Sequence, residues 1–220
     1  MDNPKHIRKS FVESVTASSR LVAQRLGADG SANVRVASDS GQTSTADRSA
    51  DGSALYEISG TSRQNEAGVV EVCNILAERL RADGLSVGVA RRASGVERGI
   101  DCEIPVDEVL LQVQVTRPAT PAFWRTLAVR GSATRELDNA DAIADVLALI
   151  RAKAAKAAPV DRKAVVLAID ATDTVVHSMD GFVSTLRRLH AADIHAIGFA
   201  AVWVIGPTSD SVHRVDTGEP

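Results

Sequence analysis

The apolar run at 163–169, KAVVLAI, constrains the fold more than any other part of the chain, because Asp170 follows it at once. A run this short, rich in β-branched residues and bounded by polar ones, reads as a buried strand. Before it, residues 139–157 form a long Ala/Leu helix pattern, and after it residues 179–191 form another. A second apolar run follows at 194–205. It contains His195 and falls short of the about 18 to 20 continuous apolar residues that a membrane span needs, so it too reads as a strand. Strands that alternate with helices join as crossovers in a parallel arrangement.

Upstream, the pattern changes from crossovers to hairpins. Residues 65–83 predict a helix closed by Gly84 in the left-handed conformation. Strands are expected at 85–91, 99–104 and 109–116, with a turn at Ser94 and Gly95. Pro118 and Pro121 break the chain, and a short helix is expected around 121–129. The sum is an α/β fold with a mixed central sheet flanked by helices. Hydrophobic residues make up 45% of the 220, enough for one core, but aromatics are only 3%, so Ala, Val, Leu and Ile must do the packing.

The ends read differently. Ile7, Phe11, Val15, Val22 and Leu26 recur near one helical face, which predicts a helix over 5–26 with a basic start. Residues 28–53 are rich in Gly, Ser, Ala, Asp and Thr and predict a flexible linker. Residues 54–59 make an extended lead-in, and the polar stretch after Gly206 predicts a loose tail. The expected division is an N-terminal helix at 1–27, a linker at 28–53, an α/β domain at 54–206 and a C-terminal tail at 207–220. The chain shows no internal repeat.

A net charge of −3 excludes a general polyanion binder, so any nucleic-acid site must be a local basic patch. Two cysteines, Cys73 and Cys102, make neither a disulfide framework nor a metal-type pair, which suits a reducing compartment. The first ten residues carry charge with no apolar run of signal-peptide type behind them, so the expectation is cytoplasmic.

Chemistry concentrates in two strands. Along 99–104, Asp101 and Glu103 point away from Ile100, Cys102 and Ile104. Along 109–116, Gln112 and Gln114 point away from Val109, Leu111, Val113 and Val115. With a loop at 105–108, Ile104 pairs with Val109 and Asp101 lies opposite Gln112. Polar pairs then meet on one face of an otherwise apolar hairpin, although a solvated sheet face shows the same alternation. In the first helix, Val69, Val70, Cys73, Leu76, Ala77 and Leu80 make the inward stripe, and Glu66 lies about 20° from Cys73 on the helical wheel. Glu66 therefore heads the inward stripe, though a carboxylate there also suits the helix dipole.

These residues, in the text GIDCEIPVDEVLLQVQVTRP, resemble the PD-(D/E)XK nuclease superfamily over roughly 65–205. The resemblance implies a restriction-endonuclease-like core of order α-β-β-β-α-β-α-β. It implies that Asp101 is the metal-binding aspartate and that Glu66 is the first-helix acid. Gln112 stands where most members carry Asp or Glu, as in some Mrr-like restriction enzymes, and Gln114 stands where the family has its lysine. The implied cofactor is Mg²⁺ or Mn²⁺, and the implied activity is DNA hydrolysis of restriction or defence type. A lysine would offset negative charge developing on the phosphate, which Gln114 cannot do. Arg91 and Arg117 are the substitute cations nearest in sequence.

Arg91, Arg92, Arg98, Arg117, Arg125, Arg130 and Arg135 cluster around the hairpin and suit phosphate contact, with Arg91, Arg92 and Arg117 closest to it. His177, His190, His195 and His213 lack metal-ligand spacing and are expected to be structural, as is Trp124. Asp170 reads as a helix-initiating or site-edge carboxylate. A second class of function stays open: a catalytically silent nuclease-fold module that assembles with a protein partner, or with its own copies, through the N-terminal helix. A third is an α/β domain of unrelated function.

Overall fold

The structure is a computed structural model that describes residues 10–15, 21–26, 32–37, 43–48, 54–59, 65–93, 99–118, 132–137, 139–172 and 176–217. It contains two six-stranded sheets.

The first sheet is an antiparallel meander of β1 (Ser10–Val15), β2 (Leu21–Leu26), β3 (Ala32–Ala37), β4 (Thr43–Arg48) and β5 (Ala54–Ser59), with β9 (Ser132–Leu137) beside β5. Two expectations are corrected here. Residues 5–26 do not hold one helix, because 10–15 and 21–26 are paired strands, Ser10 opposite Leu26. The intervening TASSR carries Ser and Thr, which favour turns, and the apolar spacing that suggested a helix straddles it. Residues 28–53 are not a linker throughout, because 32–37 and 43–48 are strands. A backbone ladder does not require large side chains, and Val34 and Val36 alternate with polar residues as a strand demands. Residues 54–59 are extended, as expected.

The second sheet runs in the order β12-β11-β10-β8-β7-β6. It is entered through α1 (Asn65–Ala82). Val72, Cys73, Leu76, Ala77 and Leu80 recur at helical spacing on this helix and are buried. The helix ends as expected: Gly84 has φ +90, its N–H donates to the Arg81 carbonyl, and the Leu85 N–H donates to the Leu80 carbonyl.

The expected strand at 85–91 shrinks to a bridge between Val87 and Val106 and the two-residue β6 (Arg91–Arg92). A short, charged strand suits a sheet edge, where unpaired backbone invites other chains. β7 (Cys102–Val106) and β8 (Val109–Thr116) form a hairpin whose loop is only Asp107 and Glu108, with Asp107 at φ 50. The Gly88 N–H donates to the Pro105 carbonyl, so the N–H that Pro105 lacks would face the interrupted β6 side. Pro105 therefore stays in the strand and does not open the loop. The register moves by two residues from the expected one: Ile104 pairs with Leu111 and Glu103 with Gln112.

From β8 the chain crosses through α2 (Asn139–Ala154) and the short α3 (Pro159–Arg162) to β10 (Val165–Asp170), then through α4 (Val176–Ile197) to β11 (Ala201–Ile205). β8, β10 and β11 are parallel. Successive right-handed crossovers stepping the same way put their helices on one face. Accordingly Ile143, Val146, Leu147 and Ile150 of α2 share a core with Met179, Val183 and Leu186 of α4 over Leu167, Ile169, Val202 and Val204. α1 covers the other face over Cys102, Ile104, Val113, Val166 and Ala168.

Two further expectations are corrected. The run 194–205 is not one strand: Ile194 completes α4 in the core, and Gly198 at φ +88 ends the helix before β11. The tail is not loose through 217: a 3-10 turn (Ser209–Ser211) leads to β12 (Val212–Arg214), antiparallel to β11. Val212 and Val215 are buried, and the buried Asp216 carboxylate accepts the Val202 N–H. A Cβ at Gly206 would lie 2.3 Å from the Ser211 hydroxyl, so glycine is what lets the turn close. The turn at Ser94 and Gly95 and the helix around 121–129 lie outside the described residues. No described helix is long and apolar enough to cross a membrane.

Candidate functional site

Alternation divides the β7–β8 hairpin between two environments. Cys102, Ile104, Val106 and Val113 are buried beneath α1, while Glu103, Gln112 and Gln114 are half-buried on the opposite face. On that face the core of α2 and α4 takes in β10 and β11 but no residue of β7 or β8. Among the described residues the buried apolar cover on this face stops at β10, and the hairpin beyond it presents a largely polar floor, with the exposed Leu110 at its outer end.

Asp101 stands at the edge of this floor, one residue before β7. Its N–H donates to the Val113 carbonyl (3.0 Å), and its Oδ2 accepts the Val115 N–H (2.8 Å). The carboxylate supplies a rung of the ladder that the backbone no longer makes. Oδ1 has no hydrogen-bond partner among the described residues. The Gln114 Nε2 donates to the Gly99 carbonyl (2.8 Å), and because a carbonyl only accepts, this fixes the amide with Oε1 pointing elsewhere. Gly99 has φ +67, and a Cβ there would come within 3.1 Å of that nitrogen. Asp101 is thus level with Gln114, and the carboxylate facing Gln112 belongs to Glu103.

The sequence also pointed to Glu66. It lies in the first turn of α1, on the other face, and its side chain lies outside the described residues. That turn stands beside Arg117, whose Nη2 would be 3.5 Å from a Cβ at Gly68.

The arginines expected to meet phosphate have other duties. Arg91 pairs with Glu103 (3.3 Å) and is 64% exposed, so the pair adds little stability. Arg117 is bound to the buried Asp170, whose other oxygen accepts the Thr172 N–H and hydroxyl. Arg92 is exposed. Arg98, Arg125, Arg130 and the Arg135 side chain lie outside the described residues.

Sequence reasoning did not single out Lys153. It is half-buried in the last turn of α2, next to Ala154 on the inward stripe. Burial pushes its amine below the ordinary lysine range, and Asp101 draws it back up. The signal lay in its place one residue from a buried position. Cys73 and Cys102 meet across the α1–β7 contact, and the hydrogen bond between them, with burial, pushes the Cys73 thiol well up. A protonated, buried thiol is not a nucleophile. His190 faces Asp193 within α4 (3.9 Å), and His213 faces Asp180 (3.5 Å).

Mg²⁺ favours a few carboxylates together with waters. Among the described residues no three His, Cys, Asp or Glu side chains gather to hold a metal. The oxygens that this face offers are the Asp101 Oδ1 and the side-chain carbonyls of Gln112 and Gln114. No family model matches the chain, and neither a curated protein nor a solved structure matches it.

Proposed function

We propose that the α/β domain is a DNA-binding, nuclease-like phosphodiesterase with a degenerate site. The observation that carries this reading is the polar floor: Asp101, Glu103, Gln112 and Gln114 on a sheet face where, among the described residues, the buried core of α2 and α4 takes in no residue of β7 or β8. The order α1, β6, β7, β8, α2, β10, α4, β11 supports it, because it follows the α-β-β-β-α-β-α-β order expected of a restriction-endonuclease-like core. The insertions are β9, which joins the first sheet, and the single turn of α3.

Each side chain has a task in this reading. Mg²⁺ or Mn²⁺, when bound, neutralises phosphoryl charge and activates water. The Asp101 Oδ1 would hold that ion, and the Gln112 carbonyl oxygen would orient a water. Gln114, fixed by Gly99, presents a carbonyl oxygen to the same water but brings no positive charge. The site is therefore slow where a lysine at 114 would make it fast.

One observation favours a silent module instead. The Asp101 Oδ2 already serves the Val115 N–H, so this carboxylate has a structural reason to be where it is. A cleavage assay on plasmid and oligonucleotide DNA with Mn²⁺ separates the two readings. Weak cleavage is expected from the wild type, none from Asp101→Ala, and more from Gln114→Lys. Mn²⁺ should also raise the wild-type melting temperature by binding the native state, and Asp101→Ala should remove that rise. If neither the wild type nor Gln114→Lys cleaves and Mn²⁺ does not change the melting temperature, the nuclease reading fails.

A further inference from the structure

We propose that Lys153, carried by α2, supplies the phosphate-facing positive charge that position 114 lacks. The inference deepens the phosphodiesterase reading and rests on it.

Topology brings Lys153 to the floor. Gln112 and Gln114 pair on their β10 side with Val165 and Leu167, and Leu167 belongs to the same core as Ile150 and Ala154 of α2. Residues 112 and 114 therefore lie beside the strand that α2 covers, on the same face. The last turn of α2 is held near the start of β10, because the Arg162 Nη1 donates to the Ala154 carbonyl (2.8 Å) three residues before Val165. Since Val165 is the register partner of Gln112, that turn sits at the level of the polar floor. Lys153 is one residue from the buried Ala154 and is itself half-buried. Burial lowers its amine from the ordinary lysine range, and the negative charge of Asp101 opposes that lowering.

Two of the arginines near the hairpin are already engaged by carboxylates. Arg91 is held by Glu103 and Arg117 by Asp170, and Arg117 lies on the α1 side of the sheet. A lysine is a compact charge on a flexible stem and can reach a phosphoryl oxygen without a fixed bidentate geometry. When a phosphodiester lies over Gln112 and Gln114, the ammonium can face its non-bridging oxygen.

The test uses the full chain and two readouts. In EDTA, a 20-base-pair duplex is titrated by fluorescence anisotropy across a salt series. Lys153→Met should weaken binding several-fold and reduce the log–log salt slope by about one. Lys153→Arg should keep both. In Mn²⁺, Lys153→Met should lower cleavage roughly 100-fold. Lys153→Arg should retain most activity, and Gln114→Lys introduced with Lys153→Met should restore it, which a merely structural role for Lys153 would not allow. If Lys153→Met binds and cleaves like the wild type while Asp101→Ala is inactive, the Lys153 assignment is overturned and the phosphodiesterase reading stands. If the wild type neither binds the duplex nor cleaves it, both fall together.

Discussion

Strands β8 and β10 lie side by side in parallel, yet they are held by different forces. β10 buries every residue after Val165, with apolar side chains reaching the cores on both faces. β8 buries only Val113 and Thr116, and its α2-side residues Gln112 and Gln114 are amides. The contrast separates a strand that holds the sheet together from one that borrows this support and keeps a polar face for other use. Substitutions should therefore cost stability in β10 and leave it nearly unchanged on the β8 floor.

The largest effect is expected at Ile169, which is fully buried. Ile169→Ala should lower unfolding free energy by about 2–5 kcal/mol in urea denaturation. A loss below about 1 kcal/mol would show that β10 is not the structural strand. Next is Asp170, whose removal strands the partly exposed Arg117. Asp170→Ala should cost about 3 kcal/mol, and less if Arg117 turns outward to water.

Asp101 sharpens the comparison because it serves both the ladder and the floor. Asp101→Ala leaves the Val115 N–H unpaired and should cost about 1–3 kcal/mol. Asp101→Asn keeps an acceptor, so most of that stability should return while Mn²⁺ stabilisation does not. Equal loss in both variants would mean that charge, not the hydrogen bond, holds this corner.

A smaller effect concerns pH at the far edge of the sheet. Burial holds the His213 imidazole below its ordinary 6.5, against the pull of Asp180 and with Arg187 and Arg79 opposing protonation. The unfolded chain takes up a proton as pH falls through 6.5, and the folded chain resists it. The stability from neutral His213 is thus present above that value and lost as pH falls toward the depressed one. Between about pH 7.5 and 5.5 the wild type should lose more melting temperature than His213→Gln does. The smallest effect is at the floor itself: Gln112→Ala should change stability by no more than about 0.5 kcal/mol.

Much of the second sheet was legible because burial writes itself into sequence. The α1 stripe, the Gly84 terminus, the full extent of β8 and the alternation with α2 and α4 all follow from apolar spacing. The hairpin register was not legible, since Pro105 argues for a loop until its missing N–H is seen to face a broken edge. A two-residue shift leaves every side chain on its expected face, so the polar floor survived although Glu103 took the place opposite Gln112 and Asp101 moved level with Gln114. Strands β3 and β4 were hidden by small and polar residues, and β1 and β2 by apolar residues whose spacing also fits a helical face. Lys153 was hidden because only the crossover brings α2 back over β8.

The central claim is that the polar floor of β7 and β8, edged by the last turn of α2, is where DNA binds. Hydrogen–deuterium exchange of the full chain, with and without a saturating duplex, tests it directly. Protection should appear in peptides covering 99–116 and 150–156, with the β11–β12 edge unchanged. Protection confined to that edge, or none at 99–116 with DNA bound, would contradict it.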